Sequence, residues 1–146
     1  MIAVAPLAEE DLPALAALFT ELTDDPTDET LMAANFRRMA GGGEYILLGA
    51  KRDGVLVGFM MGIVCLDIVG CCQPFLVVEN VIVARAARRQ GVARRLWDEL
   101  EAEARRRGCY YVFFVSIDWR EDAHRFYASI GFTPDKYKGF KKYLDR

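Results

Sequence analysis

The sequence predicts a single α/β domain with a mixed, mostly antiparallel sheet and flanking helices. Apolar residues recur at helical spacing in the first 40 residues and at strand spacing from Tyr45 onward. A strand, a helix and a strand then follow one another between residues 75 and 117, an order that predicts a right-handed crossover between two parallel strands. A chain of 146 residues is long enough for one hydrophobic core and too short for two. We therefore predict one domain over residues 1–146.

Two helices are predicted before the sheet. The first carries an apolar face from Leu12 to Leu22 with Pro13 in its first turn, and the second ends at the GGG of residues 41–43. The connection between them, residues 24–29, turns around Pro26, and we call it the acidic loop. It carries four carboxylates: Asp24, Asp25, Asp28 and Glu29.

Three antiparallel strands are predicted next, over residues 45–50, 55–66 and 75–83. The first two are joined by KRDG, whose Asp53-Gly54 dipeptide suits a tight hairpin.

The second half of the chain alternates helices and strands. Residues 91–107 form an amphipathic helix that stops at Gly108, and the continuous apolar run of residues 110–117 predicts a strand buried on both faces. A shorter helix ending at Gly131, a strand starting at Phe132 and a final strand over residues 140–144 complete the expected order.

Composition excludes several classes of protein. The net charge of −2 gives no basic excess for nucleic acid, and the most apolar stretch, residues 55–66, is too short to span a membrane because it ends at Asp67. The N-terminus carries Glu9, Glu10 and Asp11 where a signal peptide would be apolar. We therefore expect a cytoplasmic protein that binds neither nucleic acid nor membrane.

No metal site is expected. The four cysteines show no C-x-x-C spacing, and His124 is the one histidine of the chain. In the cytoplasm the thiols stay reduced, and a bridge from Cys65 to Cys71 or Cys72 is conceivable only in an oxidising compartment.

The stretch ARRQGVARRL, residues 86–95, lies where a buried strand passes into a helix. Unpaired backbone N–H groups and the helix dipole meet at such a point, Gly91 lets a ligand approach the backbone, and arginines can pair with phosphate oxygens. A nucleic-acid patch and a merely solvated helix start are the alternatives. The glycine-rich fingerprints of nucleoside triphosphate and dinucleotide sites are absent.

The residues resemble one family. RRQGVA, residues 88–93 and hereafter the signature segment, is similar to the R/Q-x-x-G-x-G/A sequence by which the GNAT superfamily of N-acetyltransferases holds the diphosphate of acetyl-coenzyme A (acetyl-CoA). The stretch WREDAHRFYASIGF looks like the family's N-x-x-A-x-x-F-Y-x-x-x-G-F segment, and the strand FLVVENVIV and the two opening helices agree. The resemblance implies a GNAT-like fold in which the two parallel strands at the centre of the sheet splay apart.

The resemblance also implies coenzyme contacts. Arg120 stands where many members have an asparagine that orients the coenzyme, and it could reach a phosphate or face water. The other implied contacts are the backbone of Val81, Ile82 and Val83 for the pantetheine arm, and Arg88, Arg89, Gln90, Gly91, Val92, Ala93 and Arg94 for the diphosphate.

Two catalytic residues are predicted. Glu79 interrupts a largely buried strand, and by strand alternation it shares a face with Val77, Val81 and Val83. The resemblance implies that this face carries a base-like or water-ordering carboxylate, which suits a base for the ammonium; a structural glutamate paired with an arginine is the alternative. Tyr127 matches the family tyrosine, which implies a general acid for the coenzyme thiolate rather than a core tyrosine. We place His124 on the surface.

The predicted function is acetyl transfer from acetyl-CoA to a primary amine, by direct attack in a ternary complex. The acidic loop would attract a small cationic amine, such as a polyamine, an amino acid derivative or an aminoglycoside-like compound. The alternatives are a protein N-terminal or lysine acetyltransferase and a non-catalytic module that binds acyl-CoA. A homodimer is an assembly that the resemblance allows.

Overall fold

The computed structural model describes residues 1–116, 121–133 and 136–144. The chain divides into two compact units, Met1–Phe113 and Phe114–Arg146. The expectation of one domain over the whole chain stays a prediction.

The first unit is built on a five-stranded mixed sheet whose spatial order follows the chain. Its strands are β1 (Ile2–Pro6), β2 (Tyr45–Arg52), β3 (Val55–Cys65), β4 (Phe75–Val83) and β5 (Val112–Phe113). The first four pair antiparallel, whereas β5 pairs parallel with β4. The predicted mixed sheet with a parallel pair is therefore confirmed.

Three helices flank this sheet. They are α1 (Leu12–Thr23), α2 (Glu29–Gly42) and α3 (Val92–Arg106). Each ends where the sequence predicts, because Asp24, Gly43 and Gly108 take up left-handed backbone conformations with φ of 61°, 84° and 76°.

The two faces of the sheet carry different helices. Leu15 and Leu18 of α1 pack with Phe59, Met61 and Ile82 on one face, where α2 also contributes partly buried side chains. The buried stripe of α3 covers the other face through Val92, Leu96, Trp97, Leu100 and Ala104.

Two glycines of β3 let α3 lie close to the sheet. A Cβ on Gly58 would lie 2.7 Å from Cγ1 of Val92, and one on Gly62 would lie 2.7 Å from Cδ1 of Leu100. A Cβ at either position would push these side chains away, so the absence of Cβ atoms lets α3 pack directly over β3. The start of α3 is thus held by packing.

The strand predictions are wrong at both ends of the chain, where one strand was missed and others were predicted too long or where no strand is found among the described residues. β1 was not predicted, since five residues ending in Pro6 give little alternation. Of the strand expected over residues 110–117, the described residues 110–116 form only Val112–Phe113, and none of the described residues between 132 and 144 lies in a strand. An apolar pattern marks residues suited to a strand, but a strand exists only where ladder hydrogen bonds form.

The second unit contains α4 (Glu121–Ser129). The ring of Phe114 packs edge-on against Tyr127 and Phe132, with centroid distances of 4.2 and 4.8 Å. His124 is half-buried rather than on the surface, and its Nε2 lies 3.2 Å from the Ser116 hydroxyl.

Among the described residues, no helix is both long and apolar enough to cross a membrane.

Candidate active site

Strand β4 is irregular at its centre. Glu79 lies opposite Met61 of β3, and Ile82 lies opposite Phe59, so β4 contains one more residue than β3 over this interval. Asn80 accommodates the extra residue with a left-handed φ of 56°. This is a β-bulge, which bends a strand and re-aims its side chains.

The bulge corrects the predicted alternation along β4. Met61 and Phe59 lie on one face of the sheet with α1, so their partners Glu79 and Ile82 share that face. Val83 lies opposite Gly58, which packs under α3, and therefore points to the other face. The prediction that Glu79 and Val83 share a face is wrong, because the inserted residue reverses the alternation.

Glu79 itself is exposed, which contradicts the expectation of a carboxylate in a largely buried strand. The bulge accounts for this, because it interrupts the burial between Val78 and Ile82. Within the described residues the Glu79 carboxylate has no hydrogen-bond or ion-pair partner, so the alternative of an arginine-paired structural glutamate finds no support.

Within the first unit, no described strand pairs with the far edge of β4 at the bulge or beyond it. The parallel ladder with β5 contains two pairs, Leu76 with Val112 and Val77 with Phe113, and ends there. Because Ala84 donates its N–H to the Val57 carbonyl at 2.9 Å, alternation along the antiparallel ladder directs the backbone groups of Val83 away from β3. The Val83 carbonyl accepts from Nε of Arg88 at 3.3 Å. The backbone predicted to bind the pantetheine arm thus includes groups that the sheet leaves unpaired.

The chain passes from β4 to α3 through a 3-10 turn, Arg85–Ala87, and the signature segment. Arg89 and Gly91 both have left-handed φ values, of 60° and 78°. No hydrogen bond joins the backbone N–H groups of residues 89–94 to an acceptor in the described part of the chain, whereas Arg95 donates to the Gly91 carbonyl at 3.1 Å. A run of unused donors therefore lies at the positive end of the α3 dipole, an arrangement that binds anions.

The small residues of the signature segment leave room in front of these donors. A Cβ built on Gly91 would have no protein atom within 4 Å. The Val92 side chain packs against the sheet and is 2 % exposed, so Val92 presents only its backbone to the open space beside Gly91. The cradle therefore fits a diphosphate, because donors, positive charge and open space coincide.

The polar side chains of the signature segment differ in their use. Gln90 is held within the protein, since its Oε1 accepts from Arg52 of β2 and its Nε2 donates to the Ala86 carbonyl at 3.1 Å. Arg94 pairs with Asp98 one turn along α3, at 3.1 Å. Arg89 is exposed and has no partner among the described side chains. Of the predicted phosphate ligands, Arg89 is the most available.

Sequence reasoning missed two residues that hold this region. Arg52 binds Gln90 from the end of β2, and Glu21 of α1 accepts a hydrogen bond from the backbone N–H of Arg85 at 3.3 Å. Both partners lie more than 30 positions away in the chain, so no local pattern could have found them.

The predicted catalytic tyrosine lies in the second unit. Tyr127 is half-buried on α4, where its ring contacts those of Phe114 and Phe126, and its carbonyl accepts from the Phe132 N–H at 3.1 Å. Arg120 lies outside the described residues.

The cysteines carry no evident role at the site. All four are free; Cys71 and Cys72 are exposed, whereas burial raises the pKa of the Cys109 thiol. No group of three metal-ligating side chains occurs among the residues that the structure describes.

Comparison with known proteins agrees with this geometry. The model of the acetyltransferase (GNAT) family matches residues 10–132. The aminoglycoside N(6')-acetyltransferase type 1 of Serratia marcescens is 28% identical over 126 residues, which cover 85% of this chain and 86% of that protein.

Solved structures share the fold. The glucosamine-6-phosphate N-acetyltransferase of Arabidopsis thaliana superposes with a TM-score of 0.88 at 17% identity, covering 99% of each chain. The structure of AAC(6')-Iy in complex with the bisubstrate analog CoA-S-monomethyl-acetylneamine gives a TM-score of 0.81 at 19% identity, covering 100% of this chain and 99% of that one. Since the family match extends over most of the sequence, from just before α1 to beyond α4, this chain belongs to the acetyltransferase (GNAT) family, a family of N-acetyltransferases whose acetyl donor is acetyl-CoA.

Proposed function

We propose that this protein transfers the acetyl group of acetyl-CoA to a primary amine of a small cationic molecule, by direct attack in a ternary complex. The observation that carries this proposal is the run of unused backbone N–H groups around Gly91. A solvated helix start would not need a left-handed glycine, a slim first turn and an unpaired arginine at the same point.

The signature segment would bind the diphosphate. The N–H groups of residues 89–94 donate to phosphate oxygens, and Arg89 and Arg88 supply the opposite charge. Gln90 contributes through its backbone, since its side chain is bound to Arg52 and Ala86. The stretch Val81, Ile82 and Val83 would lie along the pantetheine arm, with contact through the backbone of Val83, because the polar groups of Val83 point away from β3 whereas those of Ile82 point toward it. Arg94 is a weaker candidate because Asp98 engages it.

In the proposed reaction, one residue of this chain accepts a proton from the substrate ammonium and another donates a proton to the coenzyme thiolate. Acetyl-CoA, when bound, supplies the acetyl group as a thioester. The Glu79 carboxylate would accept the proton of the substrate ammonium, directly or through water, so that the nitrogen lone pair can form the new C–N bond. As the C–N bond forms, the nitrogen releases its second proton to solvent. As the C–S bond breaks, the Tyr127 hydroxyl would donate its proton to the sulfur, and solvent reprotonates the tyrosine. The products are the amide and the free thiol.

A cationic acceptor is supported by charge and by similarity. Asp25 and Glu29 of the acidic loop are exposed, and Glu79 adds a carboxylate on the sheet face that carries α1 and α2. The Serratia marcescens relative is an aminoglycoside acetyltransferase, and the bisubstrate analog bound to AAC(6')-Iy joins coenzyme A to an acetylated neamine. An aminoglycoside-like amine is therefore the first acceptor to test.

The test combines binding and turnover. Acetyl-CoA should raise the melting temperature of the full chain, and thiol release should follow when aminoglycosides, polyamines or amino acid derivatives are added. Release with peptides alone would favour a protein N-terminal or lysine acetyltransferase. A thermal shift without release from any amine would favour a non-catalytic acyl-CoA-binding module.

A homodimer and a cytoplasmic location belong to the same proposal. Sedimentation of the purified chain at micromolar concentration tests the first, and cell fractionation tests the second.

A further inference from the structure

Helix α1 and the turn before the signature segment cap each other. Glu21 accepts at Oε1 from the backbone N–H of Arg85 at 3.3 Å, and its carbonyl oxygen accepts from Nη2 of Arg85 at 3.2 Å. The Arg85 guanidinium also lies 3.7 Å from the Glu21 carboxylate. Three contacts thus join two residues that are 64 positions apart in the chain.

Arg85 donates to a carbonyl at the end of α1, and Glu21 accepts from an N–H at the start of the 3-10 turn; neither group has a partner within its own element. The last four carbonyls of a helix have no intrahelical partner, and in α1 the Thr20 carbonyl is taken by the Asp24 N–H at 2.9 Å while that of Glu21 is taken by Arg85. The 3-10 turn Arg85–Ala87 begins after Ala84, which has no side chain that could cap it, so the Glu21 carboxylate does so. The guanidinium also lies at the negative end of the α1 dipole.

The contact between Glu21 and Arg85 lies between the signature segment and the acidic loop. The Arg85 carbonyl accepts from the N–H of Arg88, the first residue of the signature segment. On the other side, three residues after Glu21, the chain enters the acidic loop at Asp24. The contact therefore fixes the entry to the coenzyme cradle against the exit of α1.

We propose that Glu21 and Arg85 are positioning residues that hold the signature segment and the acidic loop in one geometry, so that both acetyl-CoA and the amine depend on them. They touch neither substrate. The inference rests on the proposed function, because it assigns the acetyl donor to the segment after Arg85 and the amine to the loop after Glu21.

The test is steady-state kinetics on the full chain with acetyl-CoA and the best amine of the panel. Arg85→Ala and Glu21→Ala should each raise the KM for both substrates about fivefold, the scale of one lost helix cap, with kcat nearly unchanged. The double variant should be no worse than either single one, because both remove the same contact. Glu21→Gln should restore most of the affinity, since an amide oxygen still accepts from the Arg85 N–H.

Arg37→Ala is the matched control. Arg37 of α2 forms an ion pair with Glu9, and the two side chains are 66% and 47% exposed, close to the 67% and 42% of Arg85 and Glu21. This pair touches neither loop, so both KM values should stay at the wild-type level.

The possible outcomes separate the two proposals. If wild type shows no thermal shift and no thiol release with acetyl-CoA, the proposed function and this inference both fall. If wild type is active but Arg85→Ala behaves as Arg37→Ala, or the effects of the two single variants add, only the positioning role is wrong. Should Arg85→Ala fail to fold, the KM values of Glu21→Ala against Glu21→Gln decide: a difference supports the role and equality overturns it.

Discussion

The acidic loop and the signature segment are both exposed, charged connections between regular elements, yet their hydrogen bonding differs. In the acidic loop, Asp28 caps α2 by accepting from the Leu31 N–H at 2.9 Å, and the Asp25 N–H donates to the Thr23 hydroxyl at 3.2 Å. In the signature segment, the N–H groups of residues 89–94 have no such partners in the described chain.

The difference shows what distinguishes a binding cradle from a solvated turn. Both segments stand out in the sequence by charge, but charge on a surface is weakly informative because water screens it. Unused backbone donors are more informative here, because the N–H groups of residues 89–91 add to those that the first turn of α3 leaves unpaired. We therefore propose that the signature segment anchors the coenzyme, whereas the charges of the acidic loop attract the amine more weakly.

In the proposed mechanism neither segment transfers a proton, so we expect the largest effect at the proposed general acid, Tyr127. Tyr127→Phe removes one oxygen and keeps the ring that packs on Phe114. We expect kcat to fall by roughly 10²-fold or more, with KM unchanged, because a general acid acts in the transition state. Steady-state kinetics with the best amine measure this. A wild-type kcat would make Tyr127 a core tyrosine and move the proton donor to water or a thiol.

Glu79→Gln tests the proton transfer from the substrate ammonium to the Glu79 carboxylate. We expect turnover to fall by about 10²-fold near neutral pH and to recover partly at alkaline pH, where the amine already carries a free lone pair. The pH profile of kcat/KM for the variant and wild type is the measurement. Because Glu79 is exposed, the fold should be unaffected. An equal loss at every pH would indicate a structural carboxylate instead.

Gly91→Val tests the anchor directly. Acetyl-CoA at about 100 times its Kd should stabilise wild type by about 2.7 kcal/mol, and this stabilisation should disappear when a branched side chain fills the open space at Gly91. Thermal melts with and without acetyl-CoA measure the loss.

Gly108→Val is the control for backbone strain. Gly108 lies at the other end of α3 with φ of 76° against 78° for Gly91, and a Cβ there also meets no protein atom within 4 Å. Both variants should melt lower than wild type, but Gly108→Val should keep its acetyl-CoA shift. Loss of the shift in both would mean that strain in α3, and not occupation of the cradle, prevents binding.

The smallest effect is expected in the acidic loop, where Asp25→Asn should raise the KM for the amine about twofold to threefold at low salt, on the scale of an exposed charge pair. Added salt should erase the difference, as screening predicts. Asp28→Ala should instead lower stability by about 1 kcal/mol through the lost cap of α2. A salt-independent effect of Asp25→Asn would indicate a direct contact between Asp25 and the amine. The acidic loop would then bind its ligand directly, as proposed for the signature segment.

Local patterns in the sequence were sufficient to predict the ends of the helices and to single out the signature segment. The ends of α1, α2 and α3 were predicted because a helix stops where a glycine or aspartate adopts a left-handed backbone, a property of a few adjacent residues. The signature segment was found for the same reason: its glycine, its small residue and its arginines are neighbours in the chain.

Tertiary structure alone decided what each side chain of the site can do. The exposure of Glu79 depends on a register shift against β3, Gln90 is occupied because Arg52 reaches it from β2, and Arg85 is held by Glu21. The strand predicted over residues 110–117 shrank to two residues for a related reason. Pairing across strands and between distant segments depends on which groups meet in space, and the periodicity of the sequence does not predict this.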